Sequence, residues 1–146
     1  MMKVSVKKMR PGAKLPVYGS AMAAGADLCA CLDAPAVIPA GQTVMVPTGI
    51  AMEIPAGYAG LVYARSGLAA TRDLAPANKV GVIDADYRGE IFVPIHNHGS
   101  EDRVLEPGER MAQIILTPFL AADFTQVDEL SDTQRGEQGF GSTGRK

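Results

Sequence analysis

The sequence predicts an all-β fold, a jelly-roll-like barrel or sandwich with one short helix. Three observations predict it. Apolar residues fall in many short runs, Pro and Gly turns separate the runs, and no long amphipathic helix interrupts them. A chain of 146 residues has room for one domain with a substantial core.

Taken in order, Lys3 to Met9 alternates polar residues with Val4 and Val6, as a strand with one buried face does. Ala26 to Leu32 is the next candidate strand. Ala36 to Ile38 and Thr43 to Ile54 follow, set off by Pro39-Ala40-Gly41, and Pro55-Ala56-Gly57 leads into Tyr58 to Ala64. Ser66 to Ala75 suits a short helix, because Leu68, Ala69 and Ala70 tolerate one and Pro76 ends it. Val80 to Ile83 and Glu90 to His96 flank the polar corner Asp84-Ala85-Asp86-Tyr87-Arg88-Gly89. Pro94 has no N–H for a ladder and points to an edge strand or a bulge. Met111 to Leu116 supplies the last run, after the turn Glu106-Pro107-Gly108-Glu109. Residues 1–134 therefore read as one β domain. Residues 135–146 read as a flexible glycine-rich tail, with Gly136, Gly139, Gly141 and Gly144 and little to bury.

Charge narrows the function classes. The chain carries 14 Lys and Arg against 16 Asp and Glu, so it has no basic field for a long nucleic acid. A small anion is still compatible, because a few Arg side chains and backbone N–H groups suffice to hold one. Cys29 and Cys31 read as core fillers in a reducing compartment, offering neither a metal pair nor a mutual disulfide. The longest uncharged stretch, Ala34 to Met52, is broken by Pro35, Pro39, Gly41, Pro47 and Gly49, and MMKVSVKKMR has no apolar run behind it. The expectation is a cytoplasmic protein with no membrane span and no signal peptide.

Three segments are candidates for chemistry. Asp84, beside Asp86 and Tyr87 at the mouth of an apolar strand, is placed as a general base for water, although the same residues also suit an ordinary polar hairpin turn. In Ala64-Arg65-Ser66-Gly67-Leu68 the N–H groups of Ser66, Gly67 and Leu68 can converge on an anion that Arg65 approaches. A strand-end Arg with a small-residue turn is the plainer reading. Arg135-Gly136 and Gly139-Phe140-Gly141-Ser142-Thr143-Gly144 form a second anion cradle with a flat ring in it, or else a solubilising tail. No GxxxxGK[ST] occurs. His96 and His98 lack a third ligand and do not make a zinc site.

In sequence order, Ala24-Gly25-Ala26-Asp27-Leu28, Ala64-Arg65-Ser66-Gly67-Leu68, Gly81-Val82-Ile83-Asp84-Ala85-Asp86-Tyr87-Arg88-Gly89-Glu90, Gly108-Glu109-Arg110-Met111-Ala112-Gln113 and Arg135 to Gly144 closely resemble the five motifs of the trimeric dUTPases. Such a set in order covers nearly the whole chain. The resemblance implies a jelly-roll-like β barrel of the β-clip type, a homotrimer with active sites shared between subunits, and Mg²⁺-dependent hydrolysis of dUTP to dUMP and pyrophosphate. That reaction limits uracil in DNA and supplies dUMP for dTMP synthesis. It further implies that Asp84 activates the water, that Asn78 and the strand near Tyr87 read the uracil, and that Tyr87 packs under the deoxyribose. Arg65, Ser66 and Gly67 would meet the phosphates, Gln113 the phosphate nearest the sugar, and Asp27 the magnesium through water. Phe140 would close over the base, while Arg135, Gly141, Ser142 and Thr143 hold the outer phosphates as the tail folds down. Two rivals stand beside it: a dCTP deaminase, similar in fold and trimer, and a silent trimeric regulatory or capsid-like module.

Overall fold

A computed structural model describes residues 2–137. The chain opens with β1 (Ser5–Lys8), β2 (Val17–Tyr18), β3 (Ala26–Cys29), β4 (Ala36–Ile38), β5 (Thr43–Pro47) and β6 (Ile50–Glu53). It continues with β7 (Tyr58–Ala64), α1 (Ser66–Arg72), β8 (Leu74–Pro76), β9 (Gly81–Ile83), β10 (Phe92–Asn97), β11 (Arg103–Leu105) and β12 (Arg110–Pro118). All pairings are antiparallel. The largest sheet has the order β2-β3-β12-β7-β9, a second is β5-β10-β8, and β1-β6 and β11-β4 complete the sandwich. One core of Leu28, Ile38, Val46, Ile50, Leu74, Val93, Ile95, Leu105 and Met111 fills the space between the sheets. The all-β, one-helix expectation holds. No helix of the described residues is long and apolar enough to cross a membrane.

Four expectations need correction. The run Thr43 to Ile54 is two strands, because the chain turns at Thr48-Gly49 and passes from the β10 partner to the β1 partner. Gly49 has φ 71°, and a Cβ there would lie 2.6 Å from Cys31 Sγ, so only glycine makes this turn. The helix ends at Arg72 and not at Ala75. Asp73 caps it at φ 56° and bonds Arg103 Nη2 at 3.0 Å, while Arg103 Nε donates to the Arg72 carbonyl at 3.1 Å. Leu74 is then free to enter the core as part of β8. Pro94 lies in the middle strand of its sheet and not at an edge. Its carbonyl accepts from Ala77 N–H just past the end of β8, so its nitrogen faces the same side, where the missing donor forgoes only a bond beyond the end of that ladder. Cys29 and Cys31 are half-buried free thiols at the rim of the core.

β2 and β11 escape a sequence reading for a physical reason. Val17–Tyr18 is two exposed residues and Arg103–Leu105 is three, too short to show a period. The buried polar group Asn97 explains how the loop after β10 is tied down. Its Nδ2 donates to Ile38 O at 2.9 Å and Glu101 O at 2.8 Å, and its Oδ1 accepts from Gly99 N–H at 2.9 Å. Replacing Asn97 by Ala strands the buried Ile38 carbonyl and removes the part-buried bonds to Glu101 O and Gly99 N–H, and the expected loss is about 1–3 kcal/mol of stability, read by urea or thermal unfolding.

Candidate active site

The sequence candidates converge on two places, not one. At the C-terminal end of β7 lies a polar cradle of about 230 Å³ that includes Gly25, Asp27, Arg65, Ser66, Gly67 and Gln113. Asp27 and Gln113 are directly opposed on β3 and β12, so their side chains share a face. Asp27 is mostly buried and bonds two cations, Arg65 Nε at 2.8 Å and Arg110 Nη1 at 3.2 Å. Both guanidinium groups are thereby aimed at the cradle while the carboxylate balances only one of the two charges. Gln113 Nε2 donates to Ala64 O at 2.9 Å, and a Cβ on Gly25 would lie 2.4 Å from Gln113 Oε1. Glycine at 25 is what lets the Gln113 amide lie across this edge of the sheet.

Arg110 is the cradle residue that sequence reasoning passed over. Arg110 and Gln113 are three apart, and in a regular strand they would face opposite sides. A β-bulge between Arg110 and Ala112 absorbs one residue and turns both onto the same cradle. Register irregularities of this kind leave no signal in a hydrophobic pattern. Glycine at position 67 is a different case. It is the second residue of α1, where glycine costs roughly 1 kcal/mol against alanine, and a Cβ there would meet nothing within 4 Å. The packing of the chain does not ask for it, and the space above it is open.

The second place is a cleft of about 340 Å³ beside residues 84–89, a hairpin-shaped turn whose flanking strands β9 and β10 belong to different sheets, and it is lined by Asp84, Tyr87, Glu90, Val82, Phe92 and Met45. The Asp84 carboxylate is exposed and accepts no hydrogen bond among the described residues, which leaves its lone pairs available to a water. The Tyr87 ring lies over Gly89, where a Cβ would come within 2.4 Å of the hydroxyl, and that hydroxyl donates to Glu90 O at 2.9 Å. Glu90 in turn accepts from Gly49 N–H at 3.0 Å and from Arg10 Nε at 2.7 Å. Asn78 sits beyond the other end of β9, its amide 3.1 Å from where a Cβ on Gly81 would be. Arg135 is exposed in the arm that follows β12. Phe140, Gly141, Ser142 and Thr143 lie outside the described residues.

The separation of the two places is set by the β7–β9 ladder. Gly60 pairs with Ile83, so Asp84 is level with Ala59, while Arg65 follows the last residue of β7 at the opposite end. Six residues of strand at ~3.3 Å each put Asp84 and Arg65 roughly 20 Å apart within one chain.

A family model described as dUTPase matches residues 12–144. The deoxyuridine 5'-triphosphate nucleotidohydrolase of Syntrophotalea carbinolica is 49% identical over 141 residues, covering 97% of this chain and 96% of its own. The chain belongs to the dUTPase family. A second dUTPase relative, from Desulfitobacterium hafniense, is also 49% identical, over 143 residues with 97% and 95% covered. Among solved structures, a variant dUTPase of Staphylococcus bacteriophage 80alpha with dUpNHpp superposes with a TM-score of 0.84 at 27% identity, covering 99% of both chains. Another variant dUTPase from that phage gives 0.86 at 27%, covering 96% and 98%. Membership makes this dUTPase-family chain a hydrolase and bears out the β-sandwich topology.

If the space above Gly67 receives ligand, Gly67→Ala separates stability from binding. Its melting temperature should hold or rise slightly, by up to ~1 kcal/mol of stability, because Ala is the better helix former. Its affinity for a nucleoside triphosphate, measured by calorimetry, should fall about tenfold or more, since a methyl group then occupies the approach of the anion.

Proposed function

We propose that the protein hydrolyses dUTP to dUMP and pyrophosphate, with Asp84 as the general base and with sites shared between the subunits of a homotrimer. The observation that carries this reading is the unbonded Asp84 carboxylate beside Tyr87, held about 20 Å along β7 from a cradle with two arginines. Asp84 takes a proton from a water whose oxygen attacks the α-phosphorus, the bond from that phosphorus to the bridging oxygen breaks, and pyrophosphate leaves. Arg65, the Ser66 and Gly67 backbone, and Gln113 meet the developing oxygen charge. Asp27 keeps Arg65 and Arg110 in position before substrate arrives, so little reorganisation is needed at the moment of reaction.

The same geometry supports the shared site. Asp84's water and the Arg65 cradle must address one phosphorus, which a single chain with the two groups at opposite ends of a strand does not allow. The hairpin of one subunit facing the cradle of another satisfies both. The arm after β12 agrees with association, for it carries Leu120 and Phe124 at 98% and 94% exposure, large apolar side chains that one chain leaves uncovered. Residues 135–146 are proposed as a separate tail that folds over bound substrate. Phe140 would then cover the uracil and Arg135, Gly141, Ser142 and Thr143 the outer phosphates, with Asn78 reading the base. A chain working on free nucleotides in this way suits the cytoplasm.

The donor set also bears on Mg²⁺. Among the described residues no group of three or more His, Cys, Asp or Glu could hold a metal, and both Asp27 oxygens are engaged by arginines. Such residues fit an ion that arrives bound to phosphates and touches Asp27 through water; they do not fit a cage built by the protein. Bound that way, the ion would offset phosphate charge and hold the triphosphate in one arrangement.

Asp84→Asn should keep the oligomer and substrate affinity while turnover of dUTP falls by roughly 10²-fold or more, the usual contribution of a general base. Pyrophosphate release from dUTP, dCTP, dTTP and UTP, with and without Mg²⁺, distinguishes this activity from deamination and from a silent module. Near-normal turnover by Asp84→Asn would remove Asp84 from the role. Ending the chain after Arg135 should leave the melting temperature and scattering mass unchanged but lower kcat as well as raise KM, since Gly136 to Lys146 holds one large apolar side chain to bury.

A further inference from the structure

Glu90 holds both an arginine and a backbone N–H on its carboxylate, and the proposed chemistry gives it no task. Its side chain, 13% exposed, closes a three-way contact at the base of the 84–89 hairpin. Oε1 accepts from the Gly49 N–H at 3.0 Å and from Arg10 Nε at 2.7 Å. The Arg10 guanidinium then lies over the Phe92 ring, 5.7 Å from its centre, and its affinity for the proton is raised by the bond to Glu90. Through its main chain the same residue accepts the Tyr87 hydroxyl at 2.9 Å. The next residue, Ile91, is clamped to the same turn, its N–H on Ile50 O and its carbonyl accepting from Thr48 N–H and Oγ1.

From these contacts we infer that Glu90 is a positioning residue that sets where the Tyr87 wall stands, and through it the discrimination between deoxyribose and ribose. The inference rests on the proposed reading of Tyr87 as the wall beneath the sugar. The Tyr87 backbone is tied within the turn, its N–H on Asp84 O, but its hydroxyl has one hydrogen bond among the described residues, and the acceptor is the Glu90 carbonyl, so the outer end of the ring is located by the Glu90 backbone. Two charge-assisted bonds meet on one carboxylate oxygen: the Gly49 N–H ties Glu90 to the Thr48-Gly49 turn, and Arg10 holds the carboxylate from the other side. Without the carboxylate, the Gly49 N–H loses its partner and the tie to this turn falls to the Ile91 bonds, one residue farther from Tyr87. Arg10 adds a second effect. It neutralises Glu90 at the edge of a cleft that already carries Asp84 and has to admit a polyanion, while its stacking on Phe92 steadies the opposite wall.

The test uses the full-length assembled protein with Mg²⁺ and measures kcat and KM for dUTP and for UTP in the wild type, Glu90→Ala, Glu90→Gln and Arg10→Ala, with melting and scattering mass as controls. For Glu90→Ala the expected outcome is an about tenfold smaller ratio of dUTP to UTP in kcat/KM, with the loss mainly in KM, as when a shape contact is relaxed. Glu90→Gln keeps an acceptor for Gly49 and Arg10 and should recover most of the ratio. Arg10→Ala leaves the carboxylate on Gly49 but uncompensated, so KM should rise for both nucleotides with the ratio little changed. A wild type that prefers dUTP and a Glu90→Ala protein that keeps the same ratio would overturn the role of Glu90 while leaving the proposed reaction standing. A wild type with no dUTP hydrolysis would overturn both. If the Ala variant does not assemble, Glu90→Asp, too short to reach Gly49 and Arg10 together, carries the comparison, and an undiminished ratio there counts against the inference equally.

Discussion

The ladder between β7 and β9 is the constraint on which the rest of the molecule depends. It runs antiparallel from Gly60↔Ile83 to Val62↔Gly81, and in doing so fixes the hairpin at one end of β7 and the arginine cradle at the other. β7 cannot slip in register, because Gly60 and Val62 share the inward face, Gly60 close against Ile54 and Ile114 and Val62 in the core, and a one-residue shift would turn that face to the other side. Its other edge is paired along its whole length with β12, from Ala112↔Ala64 to Pro118↔Tyr58. A strand fixed on both sides acts as a ruler, and a ruler of this length keeps the two halves of the proposed chemistry from meeting within one chain.

The cradle and the hairpin use opposite electrostatic designs, each suited to its place. In the cradle, a carboxylate with little solvent access is spent on orienting two guanidinium groups, which leaves a net positive edge for phosphate. In the cleft beside the hairpin, Asp84 has no partner among the described residues, while Glu90 is neutralised by Arg10. A base must keep its lone pairs free for water, whereas a residue that holds a loop must not add uncompensated charge to a cleft for a polyanion. The near-neutral total of the chain, −2, conceals this local division of labour.

Much of the fold was legible because its signals are local. Tyr58–Ala64 and Ala36–Ile38 match their expected bounds to the residue, since turn chemistry brackets both runs. What escaped was decided by contacts distant in sequence. Asp73 ends the helix early because Arg103, thirty residues on, takes both its carboxylate and the Arg72 carbonyl. Pro94 is accepted in a middle strand because β8 stops beside it. Of the site, Asp27, Arg65, Ser66, Gly67 and Gln113, which three separate motifs carry, line one cradle. Arg110 was hidden by a bulge and Glu90 by its ordinary appearance at the end of a polar turn, while the distance between hairpin and cradle is a property of the register that no motif carries.

The central claim is that Asp84 and Arg65 of one chain serve different active sites, and subunit mixing tests it most directly. Chains carrying Asp84→Asn and chains carrying Arg65→Ala, each inactive alone, are denatured together in equal amounts, refolded, and assayed for dUTP hydrolysis. In a ring of heterologous contacts, a site that draws its hairpin from one chain and its cradle from another is intact with a chance of about one in four, so roughly a quarter of wild-type activity should return. Mixed oligomers, confirmed by mass, that stay as inactive as either parent would place both residues in the same site and contradict the account.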